Sequence, residues 1–160
     1  MLETVFDSIL HHKNIPYCIL RVANPYGVDQ LIVKRTGLIF SVIQYWMQGK
    51  TVTLRDQGLQ ERDYIAINDL STFILKLFSR GLNSIPRIIN VGSGKSYNGL
   101  EVINLIRSTF GIDGSLRLIS DHKNYDVKKS RLDVSLIKQV NEELNLPKEL
   151  FIPLEIALRK

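Results

Sequence analysis

The chain has 160 residues, 44% of them apolar and 23% charged, with a formal net charge of +5 at neutral pH. That length and balance fit a single domain with a self-sufficient core and exclude the disordered and fibrous classes. No apolar run approaches the roughly 20 residues of a membrane-crossing helix, and residues 1–15 lack the basic head and apolar body of a signal peptide. Lysines and arginines are scattered among acids as in "VKRTG" and "DVKKSR", without the basic stripe of a nucleic-acid binder. Neither a membrane nor nucleic acid is therefore expected as a partner. The one cysteine, Cys18, excludes an intrachain disulfide and a cysteine metal cluster. It suits a small buried side chain in a reducing cytoplasm. His11, His12 and His122 have no ligand spacing with Cys or acids, so no metal is expected.

Leu2, Val5, Phe6, Ile9 and Leu10 recur at helical spacing and predict an amphipathic helix over 2 to about 13, stopped by Asn14 and Pro16. "YCILRV" reads as a strand, apolar enough for a parallel interior position covered on both faces. "ANPYG" follows as a turn. "GLIFSVIQYWMQ" predicts a second helix ending at Gly49, and "TVTL" and "DYIAI" two short strands. Asn68 or Asp69 is placed to cap the helix "LSTFILKLFSR", which Gly81 ends. A strand at "RIINV" runs through "GSGKS" into a helix over 99–110, then a strand at "SLRLIS". Asp133 starts a last long helix, and a short helical segment follows Pro147. This alternation is an α/β pattern, and three polar loops leave apolar strands where ligands of open α/β sheets bind. No glycine-rich dinucleotide turn is present. "VGSGKS" is one glycine short, and it is not a phosphate loop of the Walker kind.

Taken together, "ILRVANPYG", "ERDYIAINDLS", "INVGSG" and "SRLDVSLIKQVNEELNLP" resemble the second half of an extended short-chain dehydrogenase. The family is that of the NAD-dependent nucleotide-sugar epimerases and dehydratases, typified by UDP-glucose 4-epimerase. The resemblance implies a partial Rossmann-like, doubly wound sheet made of the C-terminal strands only, with a small mixed α/β substrate-binding subdomain. Residues 1–160 would be the nucleotide-sugar-binding part of a cytoplasmic enzyme. The N-terminal NAD-binding Rossmann half would be absent, along with the family's catalytic Ser or Thr and its Tyr-x-x-x-Lys. Tyr17 and Tyr26 do not replace that pair, because neither has a Lys four residues later. NAD is thus expected in the complete enzyme and not on this chain alone, for which no catalytic residue is assigned. A dehydratase or reductase of the same family, or a non-catalytic binding module, stays open beside the epimerase.

Four residues are expected at a UDP-sugar or other nucleotide-sugar by the same resemblance. Asn24 matches the family Asn that bonds the ligand near its phosphates. Arg62 matches the Arg that reaches the diphosphate, for which a planar guanidinium is suited; the plain alternative is a surface Arg paired with Asp63 or Glu61. Lys123 stands where the family has an Arg, and Asp126 keeps the acid that follows it. In "TLRDQGLQERD", Gly58 alone remains of a family Gly-Asp-Gly, which implies a different backbone path there. Without its Rossmann partner the chain is expected to form a homo-oligomer through an exposed sheet edge or apolar face.

Overall fold

One strand, β4, separates two cores and organises the layers around it. The computed structural model describes residues 2–27, 37–82, 85–121, 127–146 and 150–158. Helix α1 (Leu2–His12) leads into β1 (Ile19–Val22) and β2 (Asn24–Tyr26). Then come α2 (Leu38–Met47), β3 (Val52–Leu54), β4 (Glu61–Ala66) and α3 (Ile67–Arg80). They are followed by β5 (Ile88–Val91), β6 (Ser96–Tyr97), α4 (Gly99–Phe110) and β7 (Leu116–Leu118). β8 (Lys129–Ser130), α5 (Ser135–Glu143) and α6 (Leu154–Ala157) complete the fold. No helix among the described residues is long and apolar enough to cross a membrane.

β1 pairs with β5 in parallel, from Ile19 opposite Ile88 to Val22 opposite Val91. One residue later the chain changes partner, and β2 lies parallel to β4 with Asn24 opposite Tyr64. β4 also takes β6 in antiparallel and β8 in parallel register, so that Arg62 faces Tyr97 and Ser130. β3 and β7 form a separate parallel pair. Because side chains alternate along a strand, Tyr64 enters the core built with Trp46, Val102, Ile103 and Ile106. Ile65 enters the other, with Phe73, Ile89, Ile137 and Phe151.

The predicted helices are all present, with bounds shifted by a few residues. α3 buries Leu70, Phe73 and Leu77 at helical spacing. In α4 the side chain of Asn98 accepts from the Glu101 N–H while Glu101 accepts from the Asn98 N–H, a reciprocal cap at the helix start. Four expectations need correction. β1 has a partner along one edge only among the described residues, and its Arg21 and Val22 are exposed. Its apolar composition shows that cover is favourable, not that the chain supplies it. Neither Asn68 nor Asp69 caps α3, which starts at Ile67 behind Ala66 with no side-chain cap; the Asp69 carboxylate instead accepts the Phe151 N–H at 2.9 Å. The Asn24–Tyr26 turn is a strand, because β4 offers it a parallel edge. The last long helix begins at Ser135, whose N–H is accepted by the Asp133 carboxylate at 2.9 Å.

Candidate functional site

Asn24 stands where the chain passes from one sheet to the other, since the N–H of Ala23 still donates to Val91 at 2.9 Å while Asn24 already pairs with β4. A crevice opens at this change of partner, the usual place for a ligand in an α/β fold. It is a cleft of about 420 Å³, walled by Val22, Ala23 and Asn24 on one side and by Val127, Ser130 and Leu132 on the other, with Arg62 and Asp63 between. That volume lies within the roughly 300–1,000 Å³ of small-molecule sites.

Of the four residues expected at a ligand, the structure brings Asn24 and Arg62 to this one cleft. Lys123 and Asp126 lie outside the described residues. The Asn24 amide is anchored by its Nδ2, which donates to the Asp63 carbonyl at 2.9 Å. The Arg62 guanidinium donates to the Glu61 carbonyl at 2.8 Å and to Gln60 Oε1 at 3.0 Å, and neither of these neutral acceptors cancels its charge. Glu61 pairs instead with Lys129 at 2.6 Å. Hydrogen bonds from Lys129 first, and then from Ser96, hold its carboxyl below the usual carboxylate range.

Asp63 was not expected as a functional residue. It is 1% exposed, and its carboxylate accepts the Ser93 N–H at 3.0 Å, the Ser93 hydroxyl at 2.7 Å and the Gly94 N–H at 3.0 Å. Those two amides belong to "VGSGKS", the chain's nearest approach to a dinucleotide turn. They are bound to a carboxylate of the chain itself, so the turn does not fit a cofactor pyrophosphate. The three polar exits noted in the sequence, after β1, along β4 and after β5, therefore meet at Asp63. Gly92 is required beside it, because a Cβ there would lie 2.7 Å from Asp63 Oδ2 and 3.1 Å from the Ala23 methyl.

The glycine-poor loop keeps a backbone that glycine would adopt freely. Asp56, Gln57 and Gly58 have φ of 47°, 55° and 73°, although only the last escapes the cost of the left-handed region. Neither Tyr17 nor Tyr26 lines the cleft. Burial first, and then the Asp69 charge, push the Tyr26 phenol up to about 12, and a hydrogen bond to Asp7 raises that of Tyr17.

A mixed α/β fold of Rossmann type, with a polar cleft where the chain changes sheets, defines the class. The family model described as "NAD dependent epimerase/dehydratase family" matches residues 1–92, and the chain belongs to that family. It is 29% identical over 122 residues to a dTDP-glucose 4,6-dehydratase of Streptomyces griseus, covering 74% of this chain and 36% of that protein. It is 29% identical over 100 residues to a putative UDP-glucose 4-epimerase of Methanocaldococcus jannaschii, covering 62% of this chain and 32% of that one. Among solved structures, the UDP-glucose 4-epimerase of Thermotoga maritima with UDP-glucose superimposes with a TM-score of 0.78 at 25% identity, over 98% of this chain and 48% of that chain. The chain thus spans about a third of the curated relatives' length and about half of the solved one's.

Proposed function

We propose that this chain is the C-terminal, nucleotide-sugar-binding part of an NAD-dependent 4-epimerase, over residues 1–160. One observation carries the reading. Asn24 and Arg62, far apart in sequence, open on the same cleft, with the guanidinium donating to two neutral acceptors, the Glu61 carbonyl and Gln60 Oε1. A diphosphate is the ligand that this pair suits, since the planar fork of Arg62 can meet two phosphate oxygens and the Asn24 amide orients them without adding charge. Lys123 and Asp126 would serve the ribose and phosphate side. A dehydratase is the second reading, because relatives of both kinds match to the same degree.

In the complete enzyme NAD would accept and return a hydride at the sugar. This chain's residues would bind the nucleotide and orient the sugar toward it. Alone, the chain would bind no NAD and turn over no UDP-sugar, since its one glycine-rich turn is filled by Asp63 and neither Tyr17 nor Tyr26 has a Lys four residues later. It would instead associate with itself through the outward apolar face of α1 or the edge of β1 that no described strand pairs with. The test is calorimetric titration with UDP, UDP-glucose and NAD. UDP should bind and NAD should not. Arg62→Ala should weaken UDP binding by about 1.5–3 kcal/mol with little change in Tm, and Arg62→Lys should restore part of it. Equal UDP affinity for parent and Arg62→Ala overturns the assignment.

A further inference from the structure

We propose that Asp63 is the positioning residue of the cleft, a built-in anion that locks the turn after β5 and the Asn24 amide in register; this rests on the nucleotide reading of the cleft. Three donors converge on the carboxylate, two of them consecutive backbone N–H groups of Ser93 and Gly94. Backbone amides arranged in this way form a concavity for anions, and here the anion is covalently part of β4. The main chain of the same residue accepts the Asn24 Nδ2. The Asn24 wall of the cleft and the turn after β5 are thereby tied to one residue that is 1% exposed, immediately beside Arg62. Gly92 completes the lock by leaving room for Asp63 Oδ2 at 2.7 Å from its missing Cβ. Asp63 touches no ligand in this scheme. It acts through the geometry of Asn24 and Arg62.

A buried acid could instead serve stability alone, and the two roles separate experimentally. In Asp63→Asn the side chain keeps its size but turns one acceptor into a donor facing an N–H. Amide hydrogen exchange should then quicken at Ser93 and Gly94 while Ile103 and Ile106 in α4 keep their protection. UDP affinity should fall roughly tenfold, the loss expected when a charged hydrogen-bond set is misaligned. In Asp63→Ala, added acetate should restore protection at Ser93 and Gly94, as it replaces the missing carboxylate; it should do nothing for Asp63→Asn. If the alanine variant does not fold, Ser93→Ala, which removes one donor and leaves the acid intact, should quicken exchange at Gly94 and weaken UDP less. Unchanged protection at Ser93 and Gly94 in Asp63→Asn overturns the proposal, and so does lost protection with unchanged UDP affinity. A parent that binds no UDP overturns the nucleotide reading instead, and exchange with acetate rescue then decides the anchoring role by itself.

Discussion

α1 and α4 are helices of 11 and 12 residues with comparable apolar stripes, yet only one of them has a core beneath it. α4 buries Val102, Ile103 and Ile106 completely and begins in a reciprocal cap. α1 buries no residue. It turns its acids inward, Glu3 to Arg21 at 2.6 Å and Asp7 to the Tyr17 hydroxyl, and leaves Leu2 76% and Phe6 55% exposed. An amphipathic stripe thus records a requirement for cover, which α4 satisfies within the described chain and α1 does not. The edge of β1 that pairs with no strand among the described residues points the same way.

The contrast is sharpest in the cost of removing a side chain. Ile103→Ala should destabilise by about 2–5 kcal/mol, the transfer and cavity cost of a buried isoleucine, read from urea unfolding. Phe6→Ala should stay within about 0.5 kcal/mol in dilute solution, as for surface sites. If α1 is the association face, the Phe6 effect should grow with protein concentration, since self-association stabilises by mass action, and light scattering should show the variant shifted toward monomer. A large concentration-independent loss in Phe6→Ala would place a hidden core under α1 and break the comparison.

The helix starts differ as well. Asn98→Ala removes the side-chain acceptor for the Glu101 N–H and should cost about 1 kcal/mol, within the usual 0.5–2. Far-UV melts should show it. No loss would mean that packing of Val102 and Ile103 holds the first turn without its cap.

Elements with a strong local period or an apolar run were legible in the sequence, and the shortest strands, made by pairing alone, were not. The spacing of Leu70, Phe73 and Leu77 announced α3 because burial and helical period coincide there. β6 and β8, two residues each, carry no period and exist only because β4 has edges to offer. At the site, family motifs led to Asn24 and Arg62, which do share a cleft, but Asp63 entered only in the plain alternative for Arg62, as a surface partner. Alternation argues against that reading, since adjacent strand residues point to opposite faces, and Asp63 shares its face with Ile65, 1% exposed like itself. An acid in phase with a buried isoleucine needs donors from elsewhere in the chain, and the sequence does not say that Ser93 and Gly94 supply them.

The smallest effect tests what holds α1 in place without a core. A hydrogen bond from Arg21, followed by the charge of the same group, holds the Glu3 carboxyl below its ordinary range. A carboxyl whose pKa is lower folded than unfolded contributes stability above the unfolded value, and that contribution is lost as pH falls through the folded one. Acidification should therefore loosen α1 from β1 at a pH below the usual glutamate range, while an exposed pair of this kind leaves global unfolding nearly untouched. Amide resonances of Phe6 to Leu10, followed from neutral to acid pH, should shift with that low midpoint in the parent. In Glu3→Gln the shift should vanish, and in Arg21→Ala its midpoint should rise toward the ordinary value. A parent midpoint already at the ordinary value, or the same titration in Glu3→Gln, would mean that the Glu3–Arg21 pair does not hold the helix and that its seat on β1 depends on the Asp7–Tyr17 contact instead.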